Sequence, residues 1–222
     1  MKAFFLLTIF AILSMAQDNV VIIPHVESGG GVQTEVTLIN PTSSSLQVMV
    51  YFRLGDGNSG LHAPTINGVP TMFVSYVLSP LGSRHINTED TQWWTASGYI
   101  EIRWLGTGRP LASAELVRGD ERMLIGSQAP TNKLWLPFDN VGGTTTLVVV
   151  KTGPTQFLRF DYYDEDGGFI GSHSGTYPQS DRITIRTDQY VLPSAYKTGI
   201  VAVYQEFPSK GSGIVGKSII DR

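Results

Sequence analysis

The densest group of chemically capable side chains in this sequence is Asp161, Asp164, Glu165 and Asp166. Hard oxygens gathered like this suit calcium, which takes roughly six to eight of them. Paired catalytic carboxylates of a hydrolase sit roughly 5–9.5 Å apart, a distance that spacing alone does not give, and Asp164 and Glu165 are examples of the carboxylates one would use. The local pattern favours neither. Asp161 falls inside an alternating strand, and Asp166-Gly167-Gly168 is an ordinary turn signal. Asp164 and Asp166 are thus a weak calcium candidate, and the expectation is no metal and no cofactor.

The other catalytic constellations are poorer. His25, His62, His85 and His173 include no pair at the two- or four-residue spacing that metal sites use. Gly55-Asp56-Gly57-Asn58-Ser59-Gly60 echoes the nucleophile segment of chymotrypsin-like proteases. That family's order is His, Asp, Ser, and only His25 precedes Ser59. Gly171-Ser172-His173-Ser174-Gly175 misses a Gly-x-Ser-x-Gly elbow by one place. The chain has no cysteine, so thiol catalysis and cysteine-bound zinc or iron–sulfur centres are excluded. The expectation is a secreted protein that is not an enzyme but a structural, adhesive or binding one, the alternative being an extracellular hydrolase with carboxylate catalysis on a β scaffold.

Binding chemistry has better candidates. Trp93 and Trp94 are adjacent indoles in a loop-like stretch, Thr91-Gln92-Trp93-Trp94-Thr95. Neighbouring residues of an extended chain point opposite ways, so one ring is free to fill the core while the other faces outward. Exposed rings stack on sugars or anchor protein contacts. Just upstream, the segment Asn58 to Thr71 carries His62 and Asn67 and has the length of a functional loop. Trp93, Trp94, His62 and Asn67 form the expected binding surface if these loops meet. Arg118-Gly119-Asp120 matches a tripeptide that integrins recognise, and its flanks add nothing to it.

These residues are positioned by strands. Val32, Thr34, Val36 and Leu38 alternate with Gln33, Glu35 and Thr37, and Ile100, Ile102 and Trp104 alternate with Tyr99, Glu101 and Arg103. A period of two with one apolar face is the mark of half-buried strands. The 24 glycines and 12 prolines punctuate too often for amphipathic helices. Strands are expected near 20–23, 32–39, 46–54, 72–78, 83–88, 98–104 and 111–117, then near 134–138, 144–150, 157–163, 169–174, 182–187, 199–204 and 213–219.

The two series share landmarks. Ile23-Pro24 and Gly30-Gly31 answer Leu136-Pro137 and Gly142-Gly143. Val48, Val50 and Phe52, ending in Asp56-Gly57, answer Leu158, Phe160 and Tyr162, ending in Asp166-Gly167, with side-chain parity kept. Pro80 and Arg84 answer Pro178 and Arg182, and Gly98 to Ile102 answers Gly199 to Val203. The pattern predicts an all-β chain of two tandem immunoglobulin-like β-sandwiches, at residues 17–118 and 133–222, joined by a connector at 119–132.

Four segments carry a resemblance: Gly29-Gly30-Gly31-Val32-Gln33-Thr34, then Thr37-Leu38-Ile39-Asn40-Pro41, then the strand closing on Asp56-Gly57, and a late Ser97-Gly98-Tyr99-Ile100. Together they resemble the tandem β-sandwich modules of proteins secreted by soil bacteria. The resemblance implies fold rather than function, because most such modules have no assigned activity. The second half departs from it, with Lys151-Thr152-Gly153-Pro154 where Asn-Pro would stand.

Residues 1–16 read as a signal peptide. Lys2 precedes the apolar run Phe4 to Leu13, and Ser14-Met15-Ala16 offers small residues for cleavage. The run is shorter than the roughly 20 residues of a membrane span. The expected location is therefore secreted, extracellular or periplasmic, with no membrane attachment after cleavage. Acidic residues outnumber basic ones 19 to 16, which argues against a nucleic-acid partner. An extracellular protein or glycan is the expected partner.

Overall fold

The computed structural model describes residues 19–55, 61–141, 143–153, 156–177, 182–190, 198–208 and 212–221. The expected leader at 1–16 lies outside the described residues, as do Asp56 to Gly60 with Ser59, Gly142, Pro154 and Pro178. The chain divides into two units, the first ending at Ser127 and the second beginning at Gln128.

The first unit contains β1 (Val20–Ser28), β2 (Val32–Ile39), β3 (Leu46–Gly55), β4 (Leu61–His62), β5 (Thr65–Ile66), β6 (Val69–Pro70), β7 (Phe73–Leu78), β8 (Ser83–Asn87), β9 (Ala96–Leu105), β10 (Leu111–Arg118) and β11 (Glu121–Gly126). One sheet runs β1-β9-β3, with β4 and β7 both pairing β3; the other runs β11-β10-β2-β8. All their pairings are antiparallel. Alternation decides the faces. Val36 and Leu38 of β2 and Ala114 and Leu116 of β10 share one core with Val48, Val50 and Phe52 of β3 and Ile100 and Ile102 of β9. Two sheets burying a common apolar layer form a β-sandwich.

The second unit contains β12 (Lys133–Asp139), β13 (Thr144–Thr152), β14 (Gln156–Asp164), β15 (Phe169–Tyr177), β16 (Arg182–Arg186), one 3-10 turn at Thr187–Gln189, β17 (Thr198–Gln205) and β18 (Gly213–Asp221). Its sheets run β12-β17-β14-β15 and β16-β13-β18. Leu136, Phe138, Leu147, Val149, Leu158, Phe160, Val201 and Val203 fill its core.

With the short strands β4 to β6 set aside, the strand orders of the two units correspond. In both, the first, sixth, third and fourth strands make one sheet, and the second lies between the fifth and the seventh in the other. In the immunoglobulin constant-type sandwich the first strand borders the second and the seventh borders the sixth. Here those two outer strands have exchanged sheets, and the fourth borders the third.

Matching details recur inside this frame. The Thr34 hydroxyl donates to the Glu27 carbonyl, and the Thr34 amide donates to the Thr88 hydroxyl at 2.8 Å. The Thr145 hydroxyl donates to the Asp139 carbonyl at 2.8 Å, and the Thr187 hydroxyl reaches the Thr145 carbonyl at 3.1 Å. All four threonines are buried. Gly98 and Gly199 also occupy like positions: a Cβ on either would collide with a carbonyl of the neighbouring third strand, that of Arg53 or of Tyr163.

Two expectations change. The connector expected at 119–132 begins with a strand: β11 pairs β10 from Arg118↔Glu121 to Ser113↔Gly126. Its charged start, Glu121-Arg122, hid the alternation, because an edge strand tolerates charge on both faces. The segment 58–71, expected as one long loop, holds β4 and the hairpin β5–β6. Asn67 (φ 52°) and Gly68 (φ 74°) form that hairpin's turn, which needs positive φ at both central residues.

Candidate functional site

Three loops meet at one end of the first unit. The turn after β1 is Gly29-Gly30-Gly31, with φ of 85°, 61° and 85°, a conformation that glycine adopts without penalty. At the first two, side chains would also have no room. A Cβ on Gly29 would strike Gln92 and the Trp94 carbonyl, and one on Gly30 would strike Thr95. The close approach is bonded throughout. The Gly30 amide donates to the Gln92 carbonyl at 2.7 Å, the Gly31 amide to Asp90 Oδ1 at 3.0 Å, and the Thr95 hydroxyl to the Gly29 carbonyl at 3.3 Å.

The opposite flank of the Trp loop is held by the segment before β7. The Glu89 amide donates to the Thr65 carbonyl at 2.8 Å, and the Gly68 amide donates to Glu89 Oε1 at 2.7 Å. The Thr65 and Thr91 hydroxyls are 2.9 Å apart. Ile66 anchors the hairpin by burying its side chain in the core. His62 stands edge-on to Trp94, ring centroids 4.4 Å apart.

The two indoles divide. Trp94 packs partly buried against the core, while Trp93 is 91% exposed. The structure thus brings His62 and Trp94 into contact and sets Trp93 outward from the same loop. Asn67 lies at the β5–β6 turn, where its backbone conformation accounts for it. Sequence reasoning missed the triple glycine and Thr65 as supports, since their partners are more than twenty residues away. The short run of three glycines was the available signal.

The acidic residues of the second unit are engaged separately. Asp164 Oδ1 accepts from the amides of Asp166 at 3.1 Å and Gly168 at 2.6 Å, so it organises the β14–β15 turn. Glu165 accepts from the Thr198 hydroxyl at 2.8 Å. Asp161 accepts from the Tyr204 hydroxyl at 2.6 Å and from Arg159 Nε at 2.8 Å. That bond is the main cause that raises the Tyr204 phenol to about 12, with burial and the carboxylate charge adding to it. Among the described residues, no group of three or more His, Asp or Glu is placed to hold a metal ion. Asp164 and Asp166 therefore meet as turn residues.

The histidines stay apart. His25 is buried beside Glu27, at 3.2 Å, and His85 shares a bond with Thr37 at 3.1 Å. His173 stacks between Phe160 and Tyr190 at 4.6 and 3.8 Å. Arg118-Gly119-Asp120 spans the β10–β11 turn, with Gly119 at φ 56° and the Arg118 guanidinium bonded to Glu27 at 3.0 Å.

No family model, curated protein or solved structure matches the chain.

Proposed function

We propose that this is an exported, non-catalytic binding protein of two related immunoglobulin-like sandwiches, and that the loop end of the first unit is its contact surface for an extracellular protein or glycan. The observation that carries this reading is Trp93, almost fully exposed on a loop whose backbone is pinned on both flanks. A rigid loop loses little entropy on binding, and tryptophan is prominent among the residues that dominate contact energies. The shared strand order, the paired threonine bonds and the Gly98/Gly199 approach support descent of both units from one ancestral module. The apolar stretch at 4–13 behind Lys2 supports export. The soil-bacterial modules that the motifs resemble fit the same picture.

The test uses residues 17–222 on a glycan array and in pull-downs from extracellular protein fractions, beside Trp93→Ala. The expected result is a ligand retained by the parent and lost by the variant. Interactions that all survive Trp93→Ala would overturn the proposal.

A further inference from the structure

The second unit presents a different surface. On the outer face of β12-β17-β14-β15, the register places three rows of side chains across the strands. Lys133, Tyr204, Arg159 and Ser174 form the first. Trp135, Ala202, Asp161 and Ser172 form the second. Pro137, Ile200, Tyr163 and Phe169 form the third. Trp135 is 57% exposed and Phe169 59%. Such rings on an outward sheet face are unusual, since polar side chains normally occupy it.

The rings are contiguous. Trp135 and Tyr163 have centroids 6.1 Å apart, and Tyr163 and Phe169 5.9 Å apart. The first pair is tilted by 49° and the second by 70°, so the row is stepped. The middle of the face is low, because Ala202 is small and fully buried between Trp135 and Asp161. Hydrogen-bonding groups border the rings: Tyr204 and Arg159 surround the buried Asp161, and the exposed Ser174 and Ser172 continue the same two rows on β15. Lys133 Nζ sits 4.3 Å from the Trp135 centroid.

Among the described residues the charges of the face cancel. Lys133 and Arg159 are met by Asp161 and by Glu206, whose carboxylate lies 3.9 Å from Arg159. The neighbouring turn adds Asp164, Glu165 and Asp166. A polyanion finds no net attraction there. A protein footprint calls for a continuous apolar centre with charge excluded from it, and here charged side chains stand beside the rings. A neutral sugar matches both features. One face of a pyranose carries C–H groups that lie on an aromatic ring, and its hydroxyls at the edge both donate and accept.

We infer that this sheet face binds a single chain of a neutral oligosaccharide, stacked on Trp135 and Phe169 and hydrogen-bonded beside Tyr204 and Asp161. The stepped rings suit a soluble, twisting chain rather than a flat crystalline surface. The site does not depend on the loop end of the first unit.

The experiment titrates the 17–222 protein with soluble hexasaccharides of β-linked glucose, mannose and xylose, followed by tryptophan fluorescence and calorimetry. At least one is expected to bind with Kd between about 10 μM and 1 mM. Trp135→Ala and Phe169→Ala are each expected to weaken it about tenfold or more, while Leu124→Ala, an exposed change on the first unit, leaves it unchanged. Circular dichroism confirms that each variant is folded. No binding by any hexasaccharide at about 10 mM would overturn the inference. So would binding that survives both ring deletions, binding lost with Trp93→Ala instead, or a preference for sulfated chains. Self-association abolished by Trp135→Ala would assign the face to a second copy and overturn it equally.

Discussion

The imidazole of His62 stands edge-on to the indole of Trp94 at 4.4 Å, tying the segment before β7 to the loop before β9. The contact settles the division of labour between two neighbouring tryptophans. Trp94 is structural because it joins the core, and Trp93 is left with no packing role. Trp94→Ala is expected to lose about 3 kcal/mol of stability by urea unfolding. Trp93→Ala is expected to stay within about 0.5 kcal/mol of the parent, as exposed substitutions do. A large loss on Trp93→Ala would show that its ring packs after all.

Asn40 is fully buried and uses both ends of its amide. Its Nδ2 donates to the carbonyls of Ser44 at 2.7 Å and Ser79 at 3.0 Å, and its Oδ1 accepts from the Thr42 amide at 3.1 Å and hydroxyl at 2.8 Å. Removing the amide breaks the bonds that hold the turn after β2 to the segment after β7. Asn40→Ala is expected to cost about 3 kcal/mol, and Asn40→Asp a comparable amount, since a carboxylate accepts but does not donate. Denaturant midpoints for both variants check this.

The glycines at the start of the two sixth strands make a paired test. Gly98→Ala and Gly199→Ala each force a methyl onto a carbonyl of the adjacent strand, and each is expected to cost about 3 kcal/mol. Gly126→Ala, where a Cβ meets open space, is expected to change stability by less than about 0.5 kcal/mol. Equal effects at all three sites would contradict the close approach.

Much of the scaffold is legible in the sequence, because a strand's period is local. Val36 and Leu38, or Ile100 and Ile102, declare their buried face by alternation alone. The short strands β4 to β6 and the edge strand β11 escape that reading, being too brief or too charged to show a period. The candidate surface is legible only in part. Trp93-Trp94 stands out by composition, but which ring turns inward depends on His62 and the core. Asp161 illustrates the limit further: the Tyr204 that bonds it is 43 residues away, and register across β14 and β17 is a tertiary fact. The threonine pairs Thr34/Thr88 and Thr145/Thr187 are hidden for the same reason.

The His173 stack makes stability depend on pH. Burial lowers this histidine from 6.5 to about 4, and its Nδ1 shares a 3.1 Å bond with the Tyr162 hydroxyl. The folded protein therefore favours the neutral ring, and below pH 6.5 the unfolded chain takes up the proton first. This contribution is complete above about 6.5 and is lost progressively as pH falls to about 4. His173→Phe keeps a ring in the stack and removes the titration. Unfolding free energies of parent and variant are expected to diverge across that window and run parallel above it. Parallel curves throughout would sink the assignment.

The exchanged outer strands give the second unit a particular response to tension. The chain enters beside the start of β18, where Thr131 and Ile214 form an isolated bridge, and β18 ends at Asp221 opposite Thr144. A pull between these points runs along the axis of β18. Antiparallel hydrogen bonds lie perpendicular to that axis, so the pairs from Thr152↔Gly213 to Thr144↔Asp221 are strained together in shear. A strand held in this way has to slip as a whole, and the module resists stretching as a lap joint does rather than opening like a zip.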